Sequence, residues 1–441
     1  MSAKIFFKAA IALLLQCSLP FLLCAQDTPP VSTQAPLTLT LQDALTRARA
    51  NSVQFQAALT DQGIAQQERV QARAALLPTV QYNNSFIYTE PNGTPSGVFI
   101  ANNSVHEYLS QGDVHQVIGY TNYADYRRAK ALEAVARAKA EIARRGLVVT
   151  VVQDYYGLIA AQRKYANVQQ AAAEATNFLN LSRKLESGGE VAHSDVVKAQ
   201  LQSNDRQRDL REAQLAMDKA RLDLAVLIFA DFNLNFTVVD DSQLAPPPMS
   251  LDDFLKQAQN KNPDLRASTA GFQAAKFELA SAQSAYLPTL TIDYFHGIDA
   301  PHFATREPDG TRNLGYSVAA TLNIPVWNWG ATHSRIIQAD LKRKQAQREL
   351  SQTQRKLQAD IRSLYAEAEA ARAELDMLKS SADLAAESLR LTTLRYRGGE
   401  ATVLEVVDAQ NTLTQARNAF SDGELRVRTA LANLQTLTGT M

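Results

Sequence analysis

Arg395-Tyr396-Arg397-Gly398-Gly399-Glu400-Ala401-Thr402-Val403-Leu404-Glu405-Val406-Val407-Asp408-Ala409-Gln410 is the stretch on which the fold turns. A glycine pair stops one helical pattern and a second one starts a few residues later, so the stretch reads as the turn of a helical hairpin. Its elements have already occurred 210 residues upstream, where Gly188-Gly189-Glu190 is followed by Ala199-Gln200. The same offset relates Leu41-x-Asp43-x-Leu45 to Leu251-x-Asp253-x-Leu255, and Leu77-Pro78-Thr79 to Leu287-Pro288-Thr289. One slip, Asn51-Ser52 against Asn262-Pro263, falls inside the first helix of each half, and Tyr155 against Tyr365 restores the register. The chain is one unit used twice.

Within each unit the texture changes in a fixed order. Leu41 to Leu76 and Leu251 to Tyr286 are rich in Ala, Gln, Arg and Glu and read as helices that stop before Leu-Pro. After Pro78 the even positions Val80, Tyr82, Phe86 and Tyr88 are apolar between polar odd ones. Leu290, Ile292, Tyr294 and Ile298 repeat this after Pro288, and the alternation from Leu314 to Val326 is the cleanest of all. Period-two alternation predicts strands. Val105 to Val117 alternates poorly, with Glu107, Asp113 and His115 set against the pattern. The loops Glu90 to Asn103 and Asp299 to Arg312 carry Pro-Asn-Gly and Pro-Asp-Gly and read as hairpin tips. Two very long helices are expected over about Tyr123 to Glu186 and Thr332 to Tyr396, each followed by a shorter one, Ala192 to Ile228 and Thr402 to Leu437. The long ones would reach roughly 95 to 100 Å, which demands a rod or a tube rather than a globular core.

The expected organisation is a signal peptide over residues 1–25 and a linker over 26–38. A first repeat follows over 39–235 with its β-hairpin at about 79–118, then a linker over 236–249, and a second repeat over 250–441 with its hairpin at about 289–327. The basic start, the apolar run Ala9 to Leu23 and the end Leu23-Cys24-Ala25 point to export with cleavage after Ala25; an uncleaved membrane helix and lipid attachment at Cys24 are the competing readings. Cys17 and Cys24 both lie in this segment, so the mature chain has no disulfide and no thiolate chemistry. Lys plus Arg and Asp plus Glu are 45 each. With no basic stripe interleaved with aromatics, nucleic acid is not an expected partner.

No metal, cofactor or catalytic site is expected: His106, His115, His193, His296, His302 and His333 are scattered, and no zincin, phosphate-loop or nucleophile-elbow motif occurs. No later apolar run is long enough to cross a bilayer as a helix, so membrane insertion would use strands. Four strands cannot close a membrane barrel, whose bacterial forms begin at about eight; three copies would supply about twelve and leave room for a pore.

The duplicated helix-hairpin-helix-helix unit resembles the TolC-like outer-membrane efflux proteins. So do Leu-Pro before the first strand, Arg395-Tyr396-x-x-Gly399, and Val403-Leu404-x-Val406-Val407-x-Ala409-Gln410, and the resemblance extends over about Leu39 to Thr438. It implies a mostly α fold with a transmembrane β part, in which three chains build a long α-helical barrel in the periplasm and a trimeric twelve-stranded β-barrel in the outer-membrane lipid. It also implies a passive conduit for efflux or type I secretion, opened by a periplasmic adaptor (membrane fusion) protein and an inner-membrane transporter, without cofactor or catalysis. Glu405 and Asp408 match acidic positions that ring the periplasmic entrance in that family. Ser194 and Asp195 match the corresponding place in the first repeat, and Tyr396 matches a tyrosine that locks the closed tip. An ordinary solvated helix start accounts for the acids equally well. Gly188, Gly189, Glu190, Gly398, Gly399 and Glu400 would form the tips that meet the adaptor. The alternative is an exported periplasmic coiled-coil or adaptor protein, which would be just as helical but would not need two amphipathic hairpins.

Overall fold

The computed structural model describes residues 37–88, 106–231, 235–240 and 250–438. The expected signal peptide with Cys17 and Cys24, the tip of the first hairpin loop and most of the second linker lie outside the described residues. The elements run β1 (Leu37–Leu39), α1 (Leu41–Asn51), α2 (Val53–Ala74), β2 (Thr79–Tyr88), β3 (His106–Ile118), α3 (Tyr120–Ser187), α4 (His193–Ile228) and β4 (Phe236–Val238) in the first half. The second half holds α5 (Leu251–Lys261), α6 (Pro263–Ser284), β5 (Thr289–Ala300), β6 (Leu314–Asn323), α7 (Ala331–Arg397) and α8 (Val403–Thr438). Among the described residues no helix is long and apolar enough to cross a membrane.

At 68 and 67 residues, α3 and α7 are each about 100 Å long. α3 packs against α2 and α4 along one flank and against α6 and α8 along the other, and α7 packs against α6 and α8. The helices thus form one layer whose free edges are α2 with α4 on one side and α7 on the other.

The first helix of each half is not the single helix that the sequence suggests. It breaks after Asn51 and after Lys261, because Ser52 and Asn262 adopt extended backbone and cap the next helix, accepting the amide protons of Phe55 at 3.3 Å and Leu265 at 3.0 Å. The break positions two asparagine side chains. Asn51 donates to the Ile228 carbonyl at 2.7 Å and Asn262 to the Leu437 carbonyl at 3.3 Å, so each satisfies an orphan carbonyl at the end of α4 or α8. The short helices α2 and α4, and α6 and α8, consequently abut end to end beside the long ones.

Two strands within the segments read as linkers were missed. Leu37–Leu39 pairs in parallel with Phe236–Val238, and both lie over the core formed by Leu45, Val151, Tyr155, Leu224, Ile228 and Phe229. Tyr155 is fully buried, and its hydroxyl donates towards the carbonyl oxygens of Val239 at 2.7 Å and Leu39 at 3.1 Å. A girdle thereby clasps the rod at mid-height.

The remaining strands form one antiparallel sheet in the order β2-β3-β5-β6, with β2 and β6 as open edges. Its register revises the reading of β3. Glu107, Asp113 and His115 stand opposite Ile87, Gln81 and Thr79, so they continue the polar face of β2 instead of interrupting the apolar one. Small or polar residues at the intervening positions, Ser110, Gly112 and Gln116, are what blur the alternation. Across β3 and β5, His115 Nδ1 meets Asp293 Oδ1 at 2.6 Å on the same polar face. On the other face Val80, Tyr82, Tyr316, Val318 and Leu322 are all exposed. Strand β6 ends at Asn323, earlier than Val326, because Pro325 has no amide proton to give the ladder.

Candidate functional site

The expected functional residues gather at the two hairpin turns, α3–α4 and α7–α8. Both turns close in the same way. Gly189 and Gly399 occupy left-handed backbone at φ 78 and 75, which lets Glu190 N–H reach the Leu185 carbonyl at 2.9 Å and Glu400 N–H the Arg395 carbonyl at 2.9 Å. Gly189 N–H bonds the Glu186 carbonyl at 2.8 Å and Gly399 N–H the Tyr396 carbonyl at 3.1 Å, completing a Schellman closure in each repeat. Gly188, Gly189, Glu190, Gly398, Gly399 and Glu400 are all exposed.

The polar bracing of the two turns differs. In the first, His193 Nδ1 meets Glu186 Oε1 at 2.7 Å. In the second, Arg395 donates to the Glu400 carbonyl at 3.1 Å and reaches Glu405 Oε2 at 3.5 Å. Glu405 is also half of a capping box: its Oε1 accepts the Thr402 N–H at 3.0 Å and the Thr402 hydroxyl at 3.1 Å, while Thr402 Oγ1 accepts the Glu405 N–H at 3.4 Å. The Thr402 amide and hydroxyl, with Arg395 adding less, hold the Glu405 carboxyl below the usual Glu range.

The two acids of α8 are therefore unlike. Glu405 is engaged within its own hairpin, whereas exposed Asp408 forms no ion pair among the described residues. In the first repeat Ser194 is exposed at the start of α4, and Asp195 lies 3.7 Å from Lys198 Nζ. No cluster of three His, Cys, Asp or Glu side chains able to hold a metal occurs among the described residues.

Tyr396 is buried, and it ties the hairpins to each other. Its ring packs on Phe178 at 5.0 Å between centroids, and its hydroxyl lies 3.1 Å from Ser182 Oγ. Around it Leu179, Val196, Leu389, Val403 and Val406 make the apolar core of the tip. Above this core the seam between the hairpins turns polar, with Gln202 donating to Asn411 Oδ1 at 3.1 Å, Arg206 bonded to the same oxygen, and Arg417 lying 3.8 Å from Glu174. Sequence reading gives no role to Phe178, Ser182 or Thr402, and Arg395 enters it only through the motif Arg395-Tyr396-x-x-Gly399. Thr402 carried a local signal, the Thr-x-x-Glu spacing of a capping box, and Arg395 acts within ten residues of itself, whereas Phe178 and Ser182 meet Tyr396 across more than 200 residues.

Residues 254–440 match the family model described as "Outer membrane efflux protein". The Proteases secretion protein PrtF of Dickeya chrysanthemi is 23% identical over 416 residues, covering 91% of this chain and 88% of the relative. Outer membrane protein TolC of Vibrio cholerae is 22% identical over 405 residues, 91% of each chain. Among solved structures, the outer membrane protein VceC of Vibrio cholerae shares the fold with a TM-score of 0.79 at 17% identity, over 90% of this chain and 96% of that one.

Proposed function

Because this chain carries the outer-membrane efflux family model in its second repeat and has the fold of TolC-like outer-membrane channels throughout its described length, we propose that it is the outer-membrane channel subunit of a tripartite efflux or type I secretion system. Three copies form a passive conduit whose β-barrel sits in the outer membrane and whose helical barrel stands in the periplasm.

The observation that carries this reading is the pair of unfinished edges. The sheet ends in unpaired β2 and β6 with an exposed apolar face, an arrangement tolerated in lipid only if the edges close on further strands. The helical layer ends in apolar stripes at heptad spacing: Leu201, Leu215 and Leu222 on α4, and Met377, Leu384 and Leu391 on α7, all exposed. Such stripes bury well against each other, so one copy's α4 fits the next copy's α7 while β6 pairs with β2. Twelve strands leave an open lumen. A free-standing coiled-coil rod would bury the stripes and leave the apolar sheet face in water.

In this assembly the exposed glycine tips meet the periplasmic adaptor. Threefold symmetry brings the acids of α4 and α8 around the entrance, with Asp408 as its free charge, Asp195 beside Lys198 and Glu405 as a bracing group. Opening comes from contact with the adaptor and an inner-membrane transporter. Relatives named for protease secretion and for cobalt-zinc-cadmium resistance are both similar to this chain in sequence, which fits a conduit whose cargo is chosen by its pump.

Membrane fractionation with mass measurement of the detergent-extracted protein tests the proposal. An outer-membrane protein that needs detergent and has three times the chain mass is expected. A monomer released by salt would refute it.

A further inference from the structure

Where the helices meet the sheet, the surface carries a chemistry that conduction does not use. The thirteen residues of α2, α3, α6 and α7 nearest the sheet, 62–74, 120–132, 272–284 and 331–343, hold nine Lys or Arg against four Asp or Glu, in a chain whose totals are 45 and 45. Between these cations and the apolar sheet face stand exposed rings: Tyr120, Tyr123, Tyr286, Trp327 and Trp329. Trp329 is 90% exposed at φ 55, a left-handed conformation that a bulky residue keeps only where its surroundings hold it.

On α3, Tyr120, Tyr123, Arg127 and Lys130 share one face by their three- and four-residue spacing and run on from exposed Ile118 at the end of β3; Asp125 and Arg128 fall on the opposite face. Arg127 is held rigidly. Its Nη1 donates to the Tyr123 hydroxyl at 2.7 Å, and its guanidinium lies 4.7 Å from the Phe277 ring centre and 5.7 Å from that of Tyr123. No described carboxylate pairs with Arg127 or with exposed Lys130.

Depth then decides what the cations meet. Side chains lean towards the N-terminus of their helix, and α3 starts at the sheet, so Arg127 and Lys130 reach back towards the membrane. The Tyr123 contact, one turn nearer the sheet, fixes that direction. Arg127 lies about 10 Å along the axis from Tyr120, and the backward lean returns its guanidinium to the headgroup layer, about 5 to 7 Å thick beyond the hydrocarbon. The ligand there is phosphate, which a guanidinium fork with free N–H groups binds by charge and geometry together.

We propose that this collar binds the phosphate diester of glycerophospholipids in the periplasmic leaflet. Arg127 and Lys130 hold the phosphate, and Tyr120, Tyr123 and Trp329 lie at the boundary with the acyl chains. The inference rests on the reading of the sheet as a membrane barrel, and it adds a lipid site that anchors the helical barrel at a fixed height.

The test is native mass spectrometry of the detergent-purified, full-length oligomer titrated with phosphatidylglycerol, paired with reconstitution into vesicles of the same lipid. Arg127→Gln with Lys130→Gln should weaken lipid binding about 30-fold, from about fivefold per cation near the surface. Arg127→Lys should fall in between, because it keeps the charge and loses the fork. Lys219→Gln, on α4 far from the sheet, should change nothing. The double variant should keep the parent's oligomeric mass and conductance. A folded double-variant oligomer that binds lipid like the parent, or a parent whose bound lipid is displaced by excess inorganic phosphate, overturns the site. A parent that reconstitutes normally while the variant keeps its affinity overturns the collar alone, whereas a parent that never enters bilayers overturns the channel reading along with it.

Discussion

Tyr396→Phe removes a single hydroxyl from the tip and leaves the ring on Phe178 in place. In the described arrangement that hydroxyl is 3.1 Å from Ser182 Oγ, and both side chains are buried. A neutral buried hydrogen bond contributes about 1 kcal/mol net, and Ser182 would be left without this partner. If three chains open together, about 3 kcal/mol is removed from the joined state of the hairpins, which shifts the equilibrium towards separation about 150-fold. Open probability in planar bilayers reads this directly, with oligomeric mass and circular dichroism confirming that the variant is folded. An open probability within twofold of the parent would show that the Tyr396–Ser182 contact does not hold the tip, and the gating role assigned to Tyr396 would be wrong.

Tyr155→Phe leaves the Val239 carbonyl without the 2.7 Å bond it receives from the hydroxyl and should cost about 1 to 3 kcal/mol, seen in denaturant melts and as faster amide exchange at residues 37–39 and 236–238. Glu141 is held down to about 2 from 4.5 by its hydrogen bond from Arg144, burial opposing and Arg145 adding to the effect. Its depressed value means that its contribution is fully present above about pH 4.5 and is lost as the pH falls through about 2; Glu141→Gln should therefore be less stable than the parent at neutral pH and converge with it in acid, as urea melts across that range would show. Leu384→Glu places a charge in the apolar stripe of α7 and should convert the oligomer to smaller species on size-exclusion chromatography with light scattering, while helical content stays unchanged.

Much of the fold was legible because it is written in local periodicity and then written again. The expected long helices begin within about three residues of α3 and α7, and the glycine turns stand where the repeated tripeptides put them. The breaks before α2 and α6 were visible in principle, since Ser52 and Asn262-Pro263 are capping residues, but a continuous Ala- and Gln-rich texture masks a one-residue interruption. Strands β1 and β4 were hidden for a different reason. Each is three residues long, and what makes them strands is the parallel partner about 200 residues away together with the Tyr155 hydroxyl beneath. Strand β3 was blurred by Ser110, Gly112 and Gln116, and only the register shows that its charged residues belong to the polar face. The site was legible in place but not in role. Spacing put Glu405 and Asp408 on one helix face, yet Thr402 and Arg395 set Glu405 apart as a cap and brace, a distinction that depends on where a side chain turns.

The most direct test of the channel itself is conductance of the purified, full-length oligomer in planar bilayers, measured with the parent and with Glu405→Ala/Asp408→Ala. The account predicts discrete cation-selective steps whose conductance or divalent-ion block changes in the double variant, with Asp408→Ala alone producing most of the change. A verified, folded oligomer that gives no steps would contradict it.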